Sequence, residues 1–568
     1  MNLTTTTQAA RRPLVVASIT PYSGTFGKEQ IIHLLKRTMF GAKKADVDFF
    51  AGKTVSQVVD ALLTIPAAPS VLPLNYYNNA AAVPPQIDPS VPMGQTWVNA
   101  KEDGNFSGQR RNSLRNWWGG VMINQDRSVF EKMVLFWHNH FSTETIDTSP
   151  LLGYQHLELL RKYTLGNFKT FVKDITFDAN MLRYLNGYVN NKTAPDENYA
   201  RELQELFTLG KGVDSQYTEA DVKAAARVLT GWRIRQVESP VGSGLWVWET
   251  YFNASAHDTG AKSFSAFYDG KSIVGSASTN TDAFARKEID ELLDMIFIKQ
   301  EVSKFLCRKL YTFFIYYEID AATEANVITP LAEILRQSNY EIKPVLKALL
   351  SSEHFFDDSN KGCFIKSPID YSVGAIREFN VEIPSNADYV LQYGAWNNVV
   401  GERNNGAAIQ GQNIGNPPSV AGWAAYYQVP VFHEFWINTD SFPRRVSYID
   451  KLLPNTGTGI ALGKDTINIS RFLLIDVLKF TDSFGNDAGD PNTLIDKVLE
   501  LVYRVPVSNK FKLYIKGILL SGQASDYYWT DAWDAYKTSP TAMNTTTVKT
   551  RLLTFYKFIV TQPEYHLS

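Results

Sequence analysis

The sequence predicts a mainly α, multi-helix single-chain architecture with a small β-hairpin insertion around 244–275 and long ordered loops. Three observations predict it. Apolar residues recur at three- and four-residue spacing along most of the 568 residues, which puts them on one face of successive helices. Capping residues open several of these runs, and glycine or proline closes them. Alternation of the strand type is convincing in one place only, at Trp246, Trp248, Thr250 and Phe252, with Asp269-Gly270 after it as a hairpin turn.

In chain order, 29–40 carries Ile31, Leu34, Leu35, Thr38 and Met39 on one stripe and closes at Gly41. A second helix is predicted over about 45–63, ending at Pro66. Residues 66–105, rich in Pro, Asn and Ala, form a long irregular excursion. Helices follow over 109–124 and 128–141, the second with Phe130, Met133, Val134, Trp137 and Phe141 on one face, and then over 151–165 and 168–185. Thr193-Ala194-Pro195-Asp196 has the form of a capped start with proline in the first turn, so a helix is predicted from there to Leu209, stopping at Gly210. Thr218-Glu219-Ala220-Asp221 repeats the device. Val222, Ala225, Ala226, Leu229 and Trp232 then form the stripe of a helix antiparallel to the one before. Helices return from about 281 to 352 and from 368 to 379, where Ser367-Pro368 is a helix start. The Gly-, Asn- and Pro-rich stretch 399–422 before Trp423 is an ordered loop, and about 440–563 is mainly helical. The division is a lead-in over 1–28, a main helical domain over 29–440 containing the β insertion, and a C-terminal helical region over 441–568 packed on it.

Bulk composition narrows the function. A net charge of -2 supplies no general attraction to nucleic acid or to an anionic membrane. No apolar run reaches the length of a membrane span, so no transmembrane segment is expected. Aromatic residues make up 13% of the chain, and filling the core is their first use. Cys307 and Cys363 are the only cysteines, too few for a zinc ribbon or a disulfide framework. Arg11-Arg12 precedes Pro13-Leu14-Val15-Val16-Ala17, but this apolar stretch is too short for an export signal and is read as a lead-in.

Histidine is scarce, eight residues in all, which makes Phe136-Trp137-His138-Asn139-His140-Phe141 a concentrated use of the side chain that titrates near neutrality and ligates metals. On a continuous helix two residues rotate by roughly 200°, so His138 and His140 share a ligand only where the helix has ended. Asn198, Glu202 and Glu205 lie at i, i+4 and i+7 on one polar face, and His257-Asp258 follows the alternating strand. The alternatives are a metal or acid–base site, or a salt-bridged and capped interior.

The chain resembles the bacterial family known as domain of unknown function 1800. The resemblance is carried by His33-Leu34-Leu35-Lys36-Arg37-Thr38 with Phe40-Gly41, Lys132 through Phe141, Glu197-Asn198-Tyr199-Ala200-Arg201-Glu202 through Gly210, and Tyr217 through Val222. It continues with Leu229-Thr230-Gly231-Trp232, His257-Asp258 with Lys262, Lys366-Ser367-Pro368, Gln412 with Pro417 through Trp423, and Pro563-Glu564-Tyr565. What it implies is a large, mostly helical bacterial protein, exported or in the cell envelope, with genes for a sulfatase-like family (domain of unknown function 1501) as neighbours. Two functions are therefore expected as alternatives. The first is a metal-assisted hydrolase acting on envelope or extracellular polymers, with one divalent ion held by His138, His140, Glu205 and His257. Glu202 and Asp258 would be its catalytic carboxylates, Glu202 taking the proton of the activated water. The second is a non-catalytic scaffold or assembly subunit of a cell-surface or secreted complex, with protein partners that include the sulfatase-like neighbour.

Overall fold

The computed structural model describes residues 17–144, 148–423, 432–454 and 458–568, so the Arg11-Arg12 lead-in lies outside the described residues. Helix dominates, and strand among the described residues is limited to three two-stranded antiparallel ladders. The mainly α expectation holds. The helices Lys28–Thr38, Ser107–Ile123, Phe130–His140, Pro150–Tyr163 and Pro368–Glu378 stand within a few residues of the predicted runs.

Several boundaries move for local reasons. The run predicted over 45–63 is two helices, Lys44–Phe50 and Val55–Leu62, because Thr54 and Gln57 form a reciprocal capping box inside it. Likewise 168–185 divides into Phe168–Thr176 and Ala179–Tyr184, with the Asp178 carboxylate accepting from Met181 N at 2.8 Å. The Thr193 device does not start a helix. Thr193 turns back onto Asn191, Asp196 accepts from the Asn198 amide, and the helix begins only at Asn198. By contrast, Thr218 and Asp221 exchange both capping hydrogen bonds at the head of Glu219–Val228.

Trp232 belongs to a strand, not to the helical stripe. Gly231, at φ +94°, turns the chain out of the helix in a conformation that side-chain-bearing residues rarely adopt. Trp232–Glu238 then pairs antiparallel with Trp246–Phe252, from Trp232 opposite Phe252 to Glu238 opposite Trp246. The hairpin thus starts upstream of 244. Its outer strand is pinned to the helical body by Trp246 N donating to Asn99 O, Trp248 N to Gln155 Oε1 and Thr250 Oγ1 to Phe177 O. The Asp269-Gly270 turn lies between the short strands Lys262–Ser263 and Ser272–Ile273. A further hairpin, Ile460–Lys464 with Ser470–Leu473, was not anticipated in the C-terminal third. The Asp465 carboxylate organises its turn by accepting from Ile467 N, Ile469 N and Arg471 Nε.

One contiguous apolar cluster runs from Ile31 to Tyr565 and includes Trp137, Phe141, Leu203 and Trp232, with half-buried Leu206 packed against it. The C-terminal residues return to the middle of the chain. Ile365 and Leu567 form an antiparallel bridge, and Lys366 N donates to His566 O at 2.8 Å.

Candidate functional site

The helix Phe130–His140 stays helical through His140, so its two histidines point to different surroundings, as the rotation per residue requires. His138 lies between Trp118 and Trp423, with ring centroids 5.1 and 5.5 Å away, and its Nδ1 has no hydrogen-bond partner. It lines a small cavity with His156, Arg111 and Arg115. Burial, with His156 adding to it, pushes the imidazole down to about 3, so His138 is neutral. His156, which the sequence reading passed over, donates from Nδ1 to Asp178 at 2.8 Å and from Nε2 to Phe141 O at 3.2 Å.

His140 faces the end of the following segment. From Leu203 to Thr208 the chain widens into a π-helical turn, and the Gln204 carbonyl accepts from both Leu209 N and Gly210 N. This leaves the carbonyls of Leu206 and Phe207 without intrahelical partners. Lys309 Nζ donates to Leu206 O at 3.0 Å, and His140 Nε2 donates to Phe207 O at 3.1 Å. The remaining lone pair, on His140 Nδ1, accepts from Lys309 Nζ at 3.2 Å. Burial and the charge of Lys309 hold His140 well below its ordinary value. A neutral imidazole that donates to a carbonyl and accepts from an ammonium group has no lone pair left for a metal.

The carboxylates lie on the same segment but are separately engaged. Glu205 pairs with Lys211, and Arg201 bridges Glu197 at 3.1 Å and Glu219 at 2.7 Å. Glu202 is half-buried and makes no ion pair among the described residues. Burial, then the charge of Glu205, raises its carboxyl.

His257 and Asp258 sit in a third setting. His257 Nδ1 donates to Thr230 O at 2.8 Å, and Nε2 to Glu288 Oε2 at 3.1 Å. Lys262 Nζ, fully buried, closes the same carboxylate at 2.9 and 2.7 Å and also bonds Asp258 O. Asp258 is gripped by Arg227 at 2.7 and 3.1 Å. Burial alone would raise this carboxyl, but the hydrogen bonds from Arg227 and from Gly260 N outweigh it and hold Asp258 below the ordinary carboxylate range. Such a group is a poor proton acceptor near neutrality.

Among the described residues, no group of three or more His, Cys, Asp or Glu side chains is placed to hold a metal ion. Each of His138, His140 and His257 is instead enclosed by its own local contacts.

A concentration of charge that the sequence reading did not single out lies elsewhere. Lys36, Arg37, Lys132 and Lys366, all 4–5% exposed, line one narrow niche together with Ser367 and Asp370. Lys36 pairs with Glu378 and Lys132 with Asp370. The signal was present in the sequence. Each of these cations interrupts an apolar stretch, and each belongs to a segment that carries the family resemblance. What was missing was their convergence, since 330 positions separate Lys36 from Lys366 (366 minus 36).

The sequence matches the family model described as Protein of unknown function (DUF1800) over residues 33–567. Comparison with curated proteins gives no match, and neither does comparison with solved structures.

Proposed function

Since the chain belongs to the DUF1800 family, described only as proteins of unknown function, we propose from the site geometry that it is a non-catalytic scaffold or assembly subunit of a cell-surface or secreted complex. One observation carries this reading. Of the side chains that would have built a metal hydrolase, His140, His257, Glu205 and Asp258 are committed to the protein's own backbone and ion pairs, and His138 is held apart from them between Trp118 and Trp423. His140 and Lys309 complete the open end of the π-helical turn. Lys262 pairs with buried Glu288, which also accepts from His257, and Arg227 locks Asp258. Satisfied polar networks of this kind stiffen an interior, and breaking one partner leaves a buried group uncompensated. The partner class remains the one the resemblance implies, a sulfatase-like protein of the same envelope or secreted assembly.

Elemental analysis of the purified full-length protein tests the proposal. The scaffold reading expects no stoichiometric zinc, manganese, iron or copper, and expects His140→Ala to lower the melting temperature. Stoichiometric metal in the wild type, lost in His140→Ala with Tm and far-ultraviolet spectrum intact, would overturn it in favour of the hydrolase, with Glu202 as proton acceptor.

A further inference from the structure

We propose that the niche lined by Lys36, Arg37, Lys132 and Lys366 binds a small anion of halide size, which joins the N-terminal helix, the helix Phe130–His140, the segment before Pro368 and the C-terminal residues. The inference is independent of the scaffold reading and rests on a mismatch of buried charge. Lys36 donates to Glu378 and to Val502 O, and Lys132 donates to Asp370. Among the described residues Arg37 donates to Asn360 O at 2.9 Å and Cys363 Sγ at 3.0 Å, lies 4.5 Å from the Phe364 ring centroid, and leaves its Nε without a partner. Lys366 Nζ makes no hydrogen bond among the described residues. Its nearest carboxylate oxygen is Glu378 Oε2, at 3.9 Å, and it lies 4.0 Å from the centroid of the Tyr565 ring.

The layer behind the niche adds to the excess. Arg445 is fully buried, with Nε and Nη1 unpartnered, and Arg504 Nε is unpartnered as well. Among the described residues six cations thus face two carboxylates, Asp370 and Glu378, an excess of four. The next acids are already engaged, Glu29 by Lys361 at 2.7 Å, Asp450 by Lys557 at 3.1 Å and Glu500 by Lys497 at 3.8 Å. The helix Pro368–Glu378 also begins here, so the positive end of its dipole adds to the field.

A buried excess of cations is relieved either by a counter-anion or by loss of protons from lysine. Burial lowers Lys36 to about 7 and moves Lys132 and Lys366 in the same direction, whereas the guanidinium groups keep their protons. Size selects the anion. The niche encloses about 20 Å³, where a single water occupies about 10–15 Å³ on the same measure. That admits a halide and excludes a sugar phosphate or a peptide carboxylate with its substituents. Chloride is the halide that buffers and biological fluids supply in quantity.

The test combines two measurements on the full chain. Thermal melts in sodium chloride and in sodium gluconate at equal ionic strength should show a saturable upward Tm shift in chloride, because a ligand bound only by the folded state stabilises it. Lys366→Met should lose that chloride-specific shift. In crystals grown with sodium bromide, an anomalous-scattering peak should appear in the niche of the wild type, a readout that does not depend on the variant folding. A shift that persists in Lys366→Met, or one without a peak in the niche, places the anion elsewhere and refutes the proposal. A peak without a shift marks an adventitious ion only, and the absence of both leaves neutral lysines as the answer. Each of these outcomes rejects the site.

Discussion

Trp137 shows how much one position decides. Its indole is fully buried, stacks near Phe141 and Phe168 with centroids 5.9 and 5.7 Å away, meets Phe171 edge-on at 5.2 Å, and donates from Nε1 to Thr164 O at 3.0 Å. Trp137→Ala removes that packing and strands a buried carbonyl, so it should cost about 3–5 kcal/mol. Urea unfolding of wild type and variant measures this, and an unchanged midpoint would contradict the packing described. Burial of this residue was legible in the sequence because it lies on the apolar stripe of its own helix. The roles of the histidines were not. His140 is decided by Phe207 and Lys309, and His257 by Glu288, partners that arrive from 67, 169 and 31 positions away. Local spacing shows that an imidazole is buried, whereas tertiary contacts determine whether it caps a carbonyl or binds an ion.

Elements were legible where the device that makes them is local. The Thr218 box and the Ser367-Pro368 start stand as read, because a cap and its amide lie three residues apart. The Thr193 start failed because Asn191 competes for the Thr193 hydroxyl and amide. No sequence period announces the π-helical turn at 203–208, whose extra width is fixed by what packs against it. The loop before Trp423 was expected to pack against the helical body, and its end does. Trp423 is buried and donates its amide to Asn139 Oδ1 at 2.8 Å, while Gly422 holds φ +85°. A Cβ on Gly422 would lie 2.1 Å from Asn139 Oδ1 and 2.7 Å from Asn139 O. Gly422→Ala should therefore lose more than about 1 kcal/mol, from backbone strain and from displacement of the loop. Differential scanning calorimetry reads the loss, and a Tm equal to that of wild type would show that the loop is not locked against this helix.

For the whole molecule, the mainly α class was legible because a 3.6-residue period recurs over hundreds of residues, while convergence of distant charges leaves no mark on any short stretch. Those buried charges give the molecule its acid response. Burial depresses His33, His138, His140 and His566, His138 and His566 to about 3, with Arg37 adding at His33 and Arg445 and Lys366 at His566. All four are neutral in the folded protein at neutral pH. Once unfolded they bind protons near 6.5. Below that value the unfolded chain holds more protons than the folded one, so stability falls as pH falls, and for His138 and His566 it continues to fall toward about 3. At pH 5 His138 and His566 each cost about 2 kcal/mol. Lys36 and Lys309, lowered to about 7 by burial, act in the same direction over a higher range. Their penalty grows as pH drops from about 10.5 to 7 and is constant below. Glu131 opposes this trend, since burial raises its carboxyl and the folded state then takes up the proton first. The depressed carboxyl of Asp258 contributes stability that is lost only below about pH 4. Four lowered histidines outnumber the raised Glu131 carboxyl, so Tm should decline across pH 7 to 5, with His138→Gln showing a shallower slope by about one proton. Thermal melts at matched ionic strength decide the matter. A Tm that is flat or rises on acidification from pH 7 to 5 would mean that these imidazoles take up protons in the folded state and are not the dry, neutral groups their surroundings indicate.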